Sequence, residues 1–198
     1  MNVLVILAHP QPGSFNHSLA TAVLKMLETA GHGVVFHDLC AERFDPYLPG
    51  PEIPQDAPLE PWLQRHCDEL AAADGIVIIH PNWWGQPPAI LKGWIDRVIR
   101  PGVAYEFEDG DNGEGTPVGL LRARIAVVFN TSNTVPAREQ AAFGDPLEAI
   151  WRRCIFGLCG VAEFRRRTYS VIVTSTPEQR RRWLADAAEL IATAFPRD

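Results

Sequence analysis

Three stretches of the chain are apolar without interruption: residues 3–8, 75–79 and 125–129, the last reading Ile-Ala-Val-Val-Phe. A strand with one wet face alternates apolar and polar residues, whereas a parallel strand covered by helices on both sides is apolar throughout. These runs therefore predict buried strands joined in βαβ units. Between them the spacing becomes that of amphipathic helices. One covers 18–30 and ends at Gly31; one covers 62–73 with Trp62, Leu63, His66, Cys67 and Leu70; one covers 89–99 with Ile90, Leu91, Trp94, Ile95 and Val98. Two more are predicted from Pro146 to Cys159 and from Pro177 to Phe195, because a first helical turn tolerates proline's missing N–H and preset φ. Strands near 33–38 and 161–173 complete the alternation.

Strands and helices in strict alternation predict an α/β fold: a doubly wound, five-stranded parallel sheet with helices on both faces, in a single domain over 1–198. The turn after the first strand reads His9-Pro10-Gln11-Pro12-Gly13-Ser14-Phe15-Asn16 and lacks G-x-G-x-x-G. That disfavours the dinucleotide-binding arrangement and favours the flavodoxin-like strand order 2-1-3-4-5. In such a sheet a ligand lies beyond the carboxyl ends of the strands, at the switch point between the first and third.

Three unusual loops fall on that rim. The first brings Ser14 and Asn16 to a helix start, where unpaired N–H groups and the helix dipole attract phosphate. Plain N-capping by either residue is the alternative. The second, Pro81-Asn82-Trp83-Trp84-Gly85-Gln86-Pro87-Pro88, places two tryptophans at a strand end, stiffened by proline, with Gly85 allowing close main-chain approach. The rings are either core or a flat apolar wall beside the phosphate cradle, which suits a flavin. The third, Thr131-Ser132-Asn133-Thr134, offers donors to the flavin's pyrimidine edge; a side-chain-closed turn is the alternative.

Composition narrows the rest. Hydrophobic residues at 46% and charged residues at 21% are ordinary for a globular chain of 198 residues, and no apolar run is long enough to span a bilayer. A net charge of −6 opposes binding to nucleic acid or anionic lipid. Arg165-Arg166-Arg167 falls in or beside a predicted strand, and Arg180-Arg181-Arg182 opens a helix opposite Glu178. The first residues lack the basic segment of a secretory signal, so a cytoplasmic location is expected. Cysteines 40, 67, 154 and 159 form no C-x-x-C pair and are expected to be buried thiols in a reducing compartment. The acidic, glycine-rich stretch Glu108–Gly115 lacks the spacing of a calcium loop, and with Pro46–Pro61 it reads as a loop. No metal is expected. His80 reads as a strand-end residue with its hydrogen bonds satisfied.

Two segments carry a family likeness. His9-Pro10 with Ser14-Phe15-Asn16, and Pro88-Ala89-Ile90-Leu91-Lys92-Gly93-Trp94-Ile95-Asp96-Arg97-Val98 followed by Gly102-Val103-Ala104-Tyr105, resemble the NAD(P)H:quinone oxidoreductases of DT-diaphorase type. The resemblance runs from residue 3 to about 107 and continues more weakly through "FGDP" at 143–146. It implies a flavodoxin-like homodimer with noncovalent FAD or FMN, passing hydride from NAD(P)H to the flavin and then to a quinone. It places His9, Ser14, Phe15 and Asn16 on the phosphate side, Pro81, Asn82, Trp83, Trp84 and Gly85 along the isoalloxazine, and Thr131, Ser132, Asn133 and Thr134 at its pyrimidine edge. Tyr105 then reaches a partner's pocket and, with Trp84, makes the slot for planar substrates. Phe107 stands where the family often has a second tyrosine, and Phe143 where it has a histidine, so Arg138 or Asn133 is left to stabilise reduced flavin. A flavin-binding regulatory or electron-carrier protein is the second reading, and a nucleotide-binding protein without flavin the third.

Overall fold

Strand β3, Gly75–Pro81, is buried at every position, as is the strand Ile125–Ser132, so both faces of the sheet centre are covered. The computed structural model describes residues 1–107, 115 and 117–197. In chain order the strands are β1 (Asn2–Leu7), β2 (Gly33–Asp38), β3, β4 (Tyr105–Glu106), β5 (Val118–Gly119), β6 (Ile125–Ser132) and β7 (Glu163–Ser170). Five form one parallel sheet in the order β2-β1-β3-β6-β7; β4 and β5 pair separately as an antiparallel ribbon. Leaving out that ribbon, the order is the expected 2-1-3-4-5.

The uninterrupted apolar runs split by parity, as the two-residue period of a strand requires. Leu4, Ile6, Ile76, Ile78, Ala126 and Val128 join one core cluster; Val3, Val5, Val77, Ile79, Val127 and Phe129 join the other. The first cluster is roofed by α2 (Pro61–Ala72) and α3 (Ala89–Val98), the second by α1 (Phe15–Thr29) and α6 (Pro177–Ala194). Burial of such side chains stabilises the sheet by roughly 1.5–3 kcal/mol each.

The structure departs from expectation in four places. The helix expected over 146–159 is a short α5 (Pro146–Ala149) that widens into a π-helical segment, Ile150–Gly157, which turns Trp151, Ile155 and Phe156 into the core. A further helix, α4 (Pro136–Phe143), follows β6; it has no buried residue and therefore no apolar stripe to announce it. The thiols are not all buried: Cys67 and Cys159 are, but Cys40 is half-buried and Cys154 exposed, because the π-winding leaves position 154 on the outer side. Strand β7 is also shorter than the expected 161–173.

Five of the six arginines in the two runs have partners within the fold, Arg180 bonding Ser175 and Ile172 O. Arg165 pairs with Glu163, Arg166 with Asp145 and Glu148, Arg167 with Asp186, and Arg182 with Glu178. Charge along β7 also guards an edge strand. Pro46–Pro61 is a loop with one 3-10 turn at Gly50–Glu52. Residues 108–114 of the acidic, glycine-rich stretch, compared above with a calcium loop, lie outside the described residues. Among the described residues no helix is long and apolar enough to cross a membrane.

Candidate functional site

The carboxyl ends of β1, β3 and β6 open into one cleft of about 510 Å³. Every flavin-contact residue expected from the sequence lines it: His9, Ser14, Phe15 and Asn16 after β1; Pro81, Asn82, Trp83, Trp84 and Gly85 after β3; Thr131, Ser132, Asn133 and Thr134 after β6. Tyr105 does not line the cleft of its own chain. It sits in the β4–β5 ribbon opposite Gly119, with Phe107 edge-on to its ring at 6.0 Å.

At the phosphate-like end, Ser14 stands at the N-cap of α1 but makes no side-chain cap bond. Its Oγ meets His17 Nδ1 at 2.8 Å, and His17 Nε2 reaches Asp38 Oδ2 at 3.2 Å. The first-turn N–H groups thus keep no hydroxyl over them, and the capping alternative fails for Ser14. Asn16 is buried; its Nδ2 donates to Thr131 Oγ1 at 2.9 Å, while its Oδ1 has no partner. An acceptor buried without a donor among the described residues is costly, and Asn16 is one of the residues that line the cleft. Phe15 contributes mainly to the core, edge-on to Tyr169 and Trp183.

On the opposite wall, Trp83 and Gln86 close a two-residue turn whose corners, Trp84 at φ 57° and Gly85 at φ 72°, are both left-handed. Glycine adopts that geometry freely; tryptophan does not. Asn82 holds the turn from inside: its Oδ1 accepts from Gly85 N–H at 2.9 Å, and its Nδ2 donates to Glu139 Oε1 at 3.1 Å. The result leaves Trp83 44% and Trp84 100% exposed, so neither ring is core. A Cβ on Gly85 would stand 3.1 Å from Pro146 Cγ, which is the close approach that the glycine serves.

The third loop is a side-chain-closed turn and a cleft wall together. Ser132 Oγ accepts from Thr134 N–H at 3.0 Å, and Asn133 Oδ1 from Val173 N–H at 2.9 Å. Residues from α4 and beyond complete the lining: Arg138, Glu139, Phe143, Pro146 and Ile172. The sequence singles out Arg138 and Phe143 and marks Pro146 only as a helix start and part of "FGDP"; Glu139 and Ile172 give no signal. His17 and Asp38 were also missed, although the three-residue step from Ser14 to His17 is the helical spacing that joins them.

Behind the cleft, the buried His80 is locked in one tautomer. Its Nδ1–H donates to Pro81 O at 2.8 Å, while Nε2 accepts from Trp151 Nε1 at 3.0 Å and Asn130 Nδ2 at 2.8 Å. Burial pushes its pKa down to about 4, with Arg166 a lesser cause. Asn130 Oδ1 then accepts from Arg166 Nε at 2.6 Å, and Arg166 reaches Asp145 Oδ2 at 2.7 Å. This chain ties the start of the tryptophan loop to the Asp145-Pro146 corner on which Gly85 rests. His80 is thus a satisfied strand-end residue, as expected, and one that positions the cleft wall. His9 is drawn below its ordinary pKa, first by burial.

A family model described as "Flavodoxin-like fold" matches residues 1–192. The chain belongs to that family. An uncharacterized NAD(P)H oxidoreductase of Haemophilus influenzae is 32% identical over 171 residues, covering 81% of this chain and 79% of that one. NAD(P)H dehydrogenase (quinone) 1 of Rattus norvegicus is 32% identical over 123 residues; the match spans 52% of this chain and 45% of the rat protein. An NAD(P)H:quinone oxidoreductase of Methanothermobacter marburgensis superposes with a TM-score of 0.82 at 25% identity, covering 96% of this chain and 95% of that one. These relatives bear out the resemblance carried by His9-Pro10, "SFN" and the helix α3 segment of this flavodoxin-like chain.

Proposed function

We propose that this chain is a flavin-dependent NAD(P)H oxidoreductase, dimeric, whose acceptor is a quinone or a similar planar compound. One observation carries the reading. At the switch point of the sheet, an uncapped helix terminus faces a tryptophan wall held in a strained turn, across a cleft whose volume of about 510 Å³ falls within the range of small-molecule sites. The names of the relatives point the same way.

The residues fit a flavin, whether FMN or FAD. The partnerless Asn16 Oδ1 offers an acceptor, the α1 terminus offers N–H donors, and Trp84 offers a ring with no competing contact from the core. A noncovalently bound flavin would supply the hydride chemistry that links NAD(P)H to the acceptor, and one cleft serving both in turn would give ping-pong order. Ser14 and the first N–H groups of α1 would hold its phosphate, with His9 beside them, and Asn16 on the same side would accept through Oδ1 from a flavin hydroxyl. Pro81 to Gly85 would border the ring, and Thr131 to Thr134 would hold its polar edge. Arg138, on the same rim and without an ion-pair partner among the described residues, supplies a positive field where negative charge collects. Trp84, with Tyr105 and Phe107 of a second subunit, would make a flat slot that excludes water and orients planar substrates.

The second reading, a flavin-binding carrier with little turnover, is favoured by Phe143, whose ring faces the cleft and has no proton to give. The identity of what the purified protein releases on heat denaturation tests the site. One FMN or FAD per chain is expected. A colourless protein that takes up neither would refute a flavin site and leave the nucleotide-binding reading.

A further inference from the structure

A second group of ligand-bearing side chains lies outside the cleft, where β2 meets α2. His37, on β2, and His66, on α2, are buried and their rings stack with centroids 4.1 Å apart. Glu42, in the turn after β2, brings both carboxylate oxygens to 3.0 Å from His37 Nδ1, and its Oε2 lies 3.9 Å from His66 Nε2. One atom from each of the three residues falls within 4.8 Å of the others. On its far side His37 Nε2 meets Glu69 Oε2 at 2.7 Å.

We infer that His37, Glu42 and His66 form a binding site for a divalent transition-metal ion, with Zn²⁺ the preferred occupant and Glu69 orienting His37. Two imidazoles and one carboxylate are a borderline-soft donor set, which suits Zn²⁺ and disfavours Mg²⁺ or Ca²⁺. Arms of about 2.0–2.2 Å in a tetrahedron place neighbouring donor atoms roughly 3.3–3.5 Å apart. The Glu42 spacings of 3.0 and 3.9 Å bracket that edge, and with all three donor atoms within 4.8 Å of one another, ligation draws the two imidazole nitrogens together as Glu42, the most exposed of the three, adjusts. Glu69 supplies the outer-sphere carboxylate that accepts the second N–H of a ligating histidine and fixes its tautomer.

His66 turns its Nε2 toward Glu42, the side on which the ion would sit. Its Nδ1 accepts from Trp94 Nε1–H at 3.4 Å, a long bond that is given up when the ring proton moves from Nε2 to Nδ1 and Nε2 takes the ion. An open groove walled by Phe44, Trp62 and Arg65 reaches His66 and Glu42 from solvent. It gives the ion an entry path and leaves the fourth position to water. The site would pin β2 to α2 at the edge of the sheet.

The test is calorimetric titration of Zn²⁺ into the chelator-treated full chain, beside Glu42→Gln and Glu69→Gln. Wild type is expected to bind one Zn²⁺ per chain, to take no Mg²⁺ at the same concentrations, and to melt higher by about 5 °C with Zn²⁺ in large excess over its dissociation constant. Glu42→Gln, a change at a partly exposed side chain that leaves the fold and flavin uptake intact, should weaken Zn²⁺ by more than tenfold, and Glu69→Gln by about tenfold. No Zn²⁺ binding by wild type would show a hydrogen-bonded cluster satisfied by itself and overturn the proposal. Binding that Glu42→Gln leaves unchanged would place the ion elsewhere and overturn it equally.

Discussion

Trp83 and Gln86 exchange backbone hydrogen bonds of 3.1 and 2.9 Å, and this pair forces Trp84 into the left-handed region with its whole side chain in solvent. A bulky residue at positive φ costs on the order of 1–3 kcal/mol, and nothing in the core offsets it here. The ring's position thus answers to something other than stability of the empty chain.

Trp84→Gly separates the two roles. Glycine relieves the turn, so the apoprotein should hold its urea midpoint or gain up to about 1 kcal/mol. Flavin affinity should fall roughly tenfold or more, the loss of a stacking surface being worth about 1–2 kcal/mol. Fluorescence titration with flavin and urea unfolding of the apoprotein check both halves; a destabilised apoprotein with unchanged affinity would mark Trp84 as structural.

Gly85→Ala works on the next corner. Its φ of 72° strains any Cβ, and that atom would press on Pro146 Cγ at 3.1 Å. A stability loss of about 1–2 kcal/mol is expected in urea, together with weaker flavin binding, because the Asp145-Pro146 corner supports the wall.

Thr131→Val removes the hydroxyl that accepts from Asn16 Nδ2 inside the protein. A buried donor is then left without an acceptor, at a cost of about 1–3 kcal/mol in chemical unfolding. The α1 terminus loses its tie to β6, and flavin affinity should fall with it.

His80 sets a pH dependence. Its folded pKa of about 4 lies below its ordinary 6.5, so between those values the unfolded chain binds a proton that the native chain refuses. Stability is retained above pH 6.5 and falls as pH drops toward 4, by roughly 2 kcal/mol from this group between pH 7 and pH 5. His80→Asn, which keeps a donor near Pro81 O, should lower stability at pH 7 yet show a smaller drop to pH 5 than wild type in paired urea titrations.

The sheet was legible because uninterrupted apolar strands leave no ambiguity of face: Val77 and Ile78 point into different cores and must both be apolar. The cleft was legible because strand order fixes which loops converge, and residues as far apart as Asn16 and Thr131 were expected together on that ground alone. Helix α4 was not, since Arg138, Glu139 and Phe143 all face solvent or cleft and no apolar period marks the turn that carries them. The π-helical segment was hidden for a related reason: a 3.6-residue period cannot represent a winding that buries Trp151, Ile155 and Phe156 while exposing Cys154. The exposure of Trp83 depends on Asn82 and Glu139, a long-range bond with no local trace.

The most direct measurement of the central claim is anaerobic addition of NADH or NADPH to the flavin-loaded protein, followed by a quinone, with absorbance read at the flavin band. Rapid bleaching by the nicotinamide and full recovery of colour on quinone addition are predicted. A flavin that stays oxidised under excess NADH and NADPH would contradict the account and leave a carrier of flavin in place of an enzyme.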